Sequence, residues 1–276
     1  MASTPVNGAA PSVLQFEDVS LSFERKVVDS VSFALGAGET RVVLGAAGSG
    51  KSVMLKMSIG LLKPDSGRIF LFGQDITGLS EHDLFPIRAR VGVLFQEGGL
   101  FDSFTVEENV AYPLENQQGG RIADEAAVHN KVLDALRFVE LEQTLDKFPA
   151  ELSGGMRRRV GIARAVVTGP PLVLYDSPTA GLDPITANTI MALVAKERDS
   201  ENTANLIVTH RYQDGQLMAG FRYNSGKGRL EPLPRNSTAW GATVFMVMKD
   251  GQLVFEGDQT ALEASTDSYV SKFVRR

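Results

Sequence analysis

Residues 45–52 read Gly45, Ala46, Ala47, Gly48, Ser49, Gly50, Lys51 and Ser52, fitting the pattern G-x-x-x-x-G-K-[ST]. An apolar run over 41–44 precedes them and reads as a buried strand. Residues 53–57 follow and read as a helix. Strand, glycine loop and helix is the context in which this motif cradles phosphate. Small residues let consecutive backbone N–H groups turn inward into a concave anion nest. The helix N-terminus adds its partial positive charge behind that nest. Lys51 supplies a full charge for β- and γ-phosphates, and the Ser52 hydroxyl can ligate Mg²⁺.

A chain of 276 residues accommodates one large α/β domain, or a core with an inserted subdomain. Its hydrophobic fraction of 43% is ample for a buried core. The net charge of −5 gives no electrostatic reason to expect nucleic-acid binding. The absence of Cys excludes disulfides, thiolate catalysis and Cys-ligated zinc. Residues 1–12 are small and polar, without a basic start or an apolar core. They are expected to form a frayed tail, neither signal peptide nor anchor. No apolar run approaches the roughly 18–20 residues of a membrane span. A soluble, cytoplasmic protein is expected, with any membrane role reached through a partner.

Apolar residues alternate with polar ones from Leu14 to Leu35, which predicts antiparallel strands. Phe23 lies just before the charged turn 24–26. An aromatic there can stack on a base or pack in the core. Residues 68–73 and 91–95 read as strands, the latter ending at Gln96, with a short Ser80-capped helix between them. Thr105 and Glu108 resemble a capping box. Residues 116–120 read as a flexible connection, and 125–141 carry apolar residues at helical spacing. A helical subdomain over about 98–160 is therefore expected between strands of the core. Residues 172–176 form a continuous apolar run ending in Asp176, as in a central parallel strand. Asp183 followed by Pro184 predicts a helix start. Residues 205–209 read as another core strand, ending at His210. A hairpin is expected about 249–251.

Several of these features converge on phosphate chemistry. Asp176 ends a buried strand, where a carboxylate can help hold Mg²⁺ directly or through water. Gln96 can reach the metal or an attacking water, and His210 a terminal phosphate. Ser153, Gly154, Gly155 and Met156 open a second helix whose N-terminus makes a second anion site. One chain has no obvious need for two such sites on separate elements. Two chains meeting head to tail would use both. Taken singly, each feature has a plainer reading: His210 a packed histidine, Gln96 a strand-end cap, Arg157 to Arg159 a solvated face.

In this order the motifs resemble the ATP-binding subunit of an ABC transporter. Residues 45–52 match the Walker A loop, Gln96 the Q-loop and 152–156 the signature motif. Residues 172–176 match the Walker B strand, 180–183 with Asp183 the D-loop, and His210 the switch histidine. Phe23 falls where the family places the aromatic that stacks on adenine. The resemblance implies an α/β P-loop NTPase fold over 13–265. That fold has a RecA-like core, an antiparallel β subdomain and an inserted helical subdomain. It also implies ATP and Mg²⁺ as ligands and a head-to-tail homodimer. The expected partner is an integral-membrane permease at the inner face of the cell membrane, with a substrate-binding protein reached through it. Met156 before three arginines, and residues 95–103, are similar to the ATPases of Mla/Mce-type lipid transporters.

Two departures stand out. The family places glutamate after the Walker B aspartate, where it positions or deprotonates the attacking water; here the residue is Ser177. A serine hydroxyl is no useful base near neutral pH, and a general base is typically worth about 10²–10⁴ in rate. Slow hydrolysis with intact ATP binding is expected, His210 being the nearest substitute. A hydrolysis-poor, ATP-gated regulatory or assembly protein is therefore the alternative, as is a transporter of different cargo. The second departure is an insertion over about 212–241, rich in Gly, Pro, Asn and Arg, which reads as a surface loop. A tail is expected over 266–276.

Overall fold

The computed structural model describes residues 12–116, 124–233 and 243–274. The N-terminal tail, the Gln/Gly connection after Asn116 and the last part of the insertion fall mostly or wholly outside these residues.

The chain opens with β1 (Leu14–Ser22) and β2 (Lys26–Leu35), paired antiparallel as their alternation predicts. Next come β3 (Thr40–Gly45), α1 (Lys51–Met57), β4 (Ser66–Leu71) and β5 (Gln74–Asp75). Strands β1, β2, β4 and β5 form one antiparallel sheet in the order β2-β1-β4-β5. Helix α2 (Glu81–Arg88) starts at Ser80, whose hydroxyl accepts the Asp83 N–H. Strand β6 (Val91–Leu94) follows it.

Helices α3 (Val106–Asn116), α4 (Glu125–Phe138) and α5 (Gly154–Val166) fill the segment between β6 and β7 (Leu172–Asp176). The capping box before α3 forms: Thr105 N–H donates to Glu108, and Glu108 N–H to the Thr105 hydroxyl. Helix α6 (Pro184–Glu201) is capped by Asp183, which accepts N–H bonds from Ile185 and Thr186. Then come β8 (Ala204–Thr209), α7 (Tyr212–Gly220), β9 (Phe221–Asn224), β10 (Arg229–Pro232), β11 (Thr243–Lys249), β12 (Gln252–Gly257), α8 (Gln259–Glu263) and α9 (Ser271–Val274).

The central sheet runs β12-β11-β3-β8-β7-β6, all parallel except the edge hairpin strand β12. Its middle strands are buried on both faces, which explains their unbroken apolar character. On β7, Leu172 and Leu174 join the core beneath the antiparallel sheet. Val173 and Tyr175 point the other way, into the core built with α3 to α6.

Two expectations change. The insertion is not only a loop: β9 and β10 pair as a hairpin, and Leu230 packs against the helical core. Buried Arg198 on α6 donates to the Phe221 carbonyl, and Asp199 accepts the Tyr223 N–H. Residues 266–274 are not simply a tail either. Val270 is buried in a third core formed with β3, β11, α7 and α8. Among the described residues, no helix is long and apolar enough to cross a membrane.

Candidate active site

The phosphate loop leaves β3 at Gly45 and enters α1 at Lys51. Gly50, the residue before the helix, sits at φ +104°, and a Cβ there would lie 2.5 Å from the Val27 carbonyl oxygen. Only glycine fits both demands. The Lys51 ammonium curls back over the loop, donating to the carbonyls of Gly45 and Ala46 at 2.8 Å each and to the Ser49 hydroxyl at 3.3 Å. Burial lowers the Lys51 pKa, and Asp176 partly restores it.

Ser52 and Asp176 come from different elements and meet here. The Ser52 hydroxyl donates to Asp176 Oδ1 at 3.3 Å, and so does the Ser177 hydroxyl, also at 3.3 Å. One carboxylate and one alcohol form a hard-oxygen pair suited to Mg²⁺, which would draw its remaining ligands from phosphate and water. Ser177 itself adopts φ +50°, and its N–H donates to the Val208 carbonyl at 2.8 Å. That turn lifts the chain off the sheet directly after the carboxylate.

Strand order decides what else can gather here. The loop after β3, His210 after β8, Asp176 at the end of β7 and Gln96 beyond β6 all lie along one edge of neighbouring parallel strands. Ligands of open α/β sheets bind at this carboxyl edge. Gln96 does not end a strand: β6 stops at Leu94, and Gln96 opens a 3₁₀ turn, Gln96–Gly98. Two consecutive glycines with positive φ, Gly98 and Gly99, allow that turn. Buried Arg164 of α5 holds it by donating to the Gly98 carbonyl at 3.0 Å.

Ser153 caps α5 by accepting the Met156 N–H at 3.2 Å, and Gly154 lies exposed beside it. Among the described residues, Ser153, Gly154, Gly155 and Met156 make no hydrogen bond to residues 45–52. They line a groove with Leu182, Asp183 and Thr186. Phe23 is exposed on the turn between β1 and β2 and is not a core residue.

These elements agree with known proteins. A family model described as "ABC transporter" matches residues 28–180, more than half of the chain. The chain belongs to the ABC transporter family. As an ABC-type ATPase domain it takes ATP with Mg²⁺, and Lys51, Ser52 and Asp176 provide chemistry that fits both. It is 38% identical over 213 residues to a probable ribonucleotide transport ATP-binding protein, mkl, of Mycobacterium leprae; the match covers 76% of this chain and 60% of the relative. It is 30% identical over 252 residues to the intermembrane phospholipid transport system ATP-binding protein MlaF of Haemophilus influenzae, covering 91% and 86%. The chain spans only 50–60% of several curated relatives it matches. Among solved structures it resembles the ATP-binding cassette MJ0796 in a dimeric post-hydrolysis state with ADP and Pi. The TM-score is 0.75 at 27% identity, covering 89% of this chain and 98% of that one.

Sequence reasoning missed part of this ABC cassette. Arg157, Arg158 and Arg159 do not form a solvated face. Arg157 donates to the Leu152 carbonyl and Arg159 to that of Val139. Arg158 is buried and grips the turn after the Walker B strand, through the carbonyls of Ser177 at 2.7 Å and Ala180 at 3.1 Å. Tyr269 reaches the phosphate loop from the far end of the chain, and its hydroxyl accepts the Ala46 N–H at 3.3 Å. No local pattern marks either contact.

Proposed function

We propose that this chain is the ATP-hydrolysing subunit of a membrane transporter. Two copies pair head to tail, so that nucleotide held by Lys51 of one copy is capped by the Ser153 helix of the other. The observation that carries this reading is a separation within one chain. The phosphate loop, Ser52 and Asp176 cluster at the sheet edge, while the second phosphate-binding helix start stands apart and exposed. In this arrangement Gly45 to Ser52 bind the triphosphate, Phe23 stacks on adenine, and Gln96 and His210 address the metal, the attacking water and the terminal phosphate. Asp183 anchors the loop facing the partner copy. ATP-driven closure does work only if the permease prefers the closed and open pairs differently.

The permease dock is the surface of the Phe101, Phe104 and Tyr112 rings, whose centroids lie 4.8 to 6.2 Å apart. Phe101 and Tyr112 remain about 40% exposed, whereas the neighbouring Val110 and Leu114 are core residues. Location at the cytoplasmic face of the membrane follows from that partner. Lipid is the cargo favoured by the Met156-Arg157-Arg158-Arg159 sequence and by the long match to MlaF, against the ribonucleotide named for mkl. A slow, ATP-gated regulatory protein is the second reading, and Ser177 favours it. Co-purification with a multi-span permease decides between them, together with phospholipid-dependent stimulation of ATPase activity in proteoliposomes. Absence of both, with ATP-dependent pairing intact, supports the regulatory reading.

A further inference from the structure

Asp214 lies in the first turn of α7 and is 2% exposed. Its carboxylate accepts the Thr179 hydroxyl at both oxygens, at 2.9 and 2.7 Å, and the Thr209 hydroxyl at 2.7 Å. Both threonines are buried as well. Thr209 ends β8 and directly precedes His210, and its hydroxyl also accepts the Arg211 N–H at 3.1 Å. Thr179 belongs to the turn that leaves Asp176 and Ser177 and runs on to Asp183. That turn is closed by Ala180 N–H on the Ser177 carbonyl and Leu182 N–H on the Thr179 carbonyl.

A buried carboxylate is costly to keep unless it is well hydrogen-bonded. Burial raises the Asp214 pKa, opposed by the Thr209 and Thr179 hydroxyls and by the charges of Arg211 and His210. An apolar side chain would fill the volume but leave two buried hydroxyls without this acceptor. Asp214 does more than fill space: it joins two catalytic loops from neighbouring strands at one point. Arg158 holds the same turn from α5 through the carbonyls of Ser177 and Ala180. The turn is thus fixed by its carbonyls on one helix and by its side chain on another.

We propose that Asp214, through Thr179 and Thr209, is a positioning residue that locks the loop Ser177 to Asp183 in register with His210. The loop facing the partner copy and the residue facing the chain's own terminal phosphate then move as one body. A change at the partner's nucleotide reaches His210 without passing through the sheet. This inference rests on the reading of His210 as a phosphate contact, so the experiment tests that separately.

The experiment is single-turnover hydrolysis of γ-labelled ATP by excess full-length protein, which resolves slow rates directly. It is combined with nucleotide affinity and thermal unfolding. Asp214→Leu, which removes the acceptor for both hydroxyls, and Thr179→Val are each expected to lower the hydrolysis rate about tenfold to a hundredfold, as loop misplacement does, with ATP affinity within about twofold of wild type. Thr179→Ser, which keeps the hydroxyl, is expected to hydrolyse at the wild-type rate. The double variant Asp214→Leu/Thr179→Val is expected to be no slower than the worse single one. A folded Asp214→Leu with an unchanged rate overturns the proposal. So does parallel loss of rate, affinity and melting temperature in all variants including Thr179→Ser, which marks a merely structural role. His210→Ala separates the two readings: an unchanged rate there removes the phosphate-contact role. A slowed His210→Ala beside a normal Asp214→Leu removes only the coupling.

Discussion

The Ser177 hydroxyl donates to Oδ1 of Asp176 at 3.3 Å, so the residue after β7 turns toward the carboxylate proposed to hold Mg²⁺. Ser177 can support that carboxylate but cannot take a proton from water near neutral pH. Ser177→Glu should therefore raise the ATP turnover rate at least about tenfold, a fraction of the about 10²–10⁴ that a well-placed general base supplies. ATP affinity should stay near that of wild type. Steady-state phosphate release decides it, and an unchanged or lower rate removes Ser177 as the limit on catalysis.

Tyr269 ties the end of the chain to the nucleotide loop. Its hydroxyl donates to the Met248 carbonyl at 3.2 Å while accepting the Ala46 N–H. Asp267 fixes the approach by accepting the N–H groups of Tyr269 and Val270. Tyr269→Phe keeps the ring and loses both bonds, a change of about 0.5–1.5 kcal/mol per bond. Titration calorimetry should show ATP binding weakened about two- to tenfold, with the melting temperature lowered by a few degrees.

Glu197 on α6 is 4% exposed, and burial together with nearby Glu201 pushes its carboxyl up to about 7 from 4.5, against the Thr203 hydroxyl and Lys196. Between those values the folded chain keeps a proton that the unfolded chain has released. Stability contributed by this group therefore falls as pH rises from about 4.5 to about 7 and stays low above it. The loss is at most about 3 kcal/mol. Glu197→Gln should melt higher than wild type at pH 8, with the difference vanishing near pH 4.5. Melting curves across that range check the sign.

The β9–β10 hairpin is built into α6 rather than hung from it. Arg198 donates to the Met218 and Phe221 carbonyls, and Asp199 accepts from Arg198 and from the Tyr223 N–H. Excising 222–237 should therefore lower stability by roughly 1–3 kcal/mol, the cost of leaving buried polar groups without partners. Urea unfolding measures it. An unchanged midpoint would return the insertion to a neutral surface loop.

The phosphate loop, the strand carrying Asp176 and the caps at Ser80, Thr105, Ser153 and Asp183 were legible in sequence because each is a local matter. Backbone conformation, hydrogen bonds within a few residues and apolar runs are written within short windows. The order of strands along the central sheet was not written there. Only that order sets His210, Asp176 and the phosphate loop side by side, since neighbours in the sheet are far apart in the chain. The same holds for the inward arginines, Asp214 and Tyr269. An arginine run looks solvated until a turn's carbonyls are packed against it, and a tyrosine near the C-terminus has no spacing that points to Ala46. The sequence alone determined which chemistry the chain carries. Tertiary packing decided which buried polar groups hold that chemistry in place, because partners for such groups come from distant elements brought together by the shared cores.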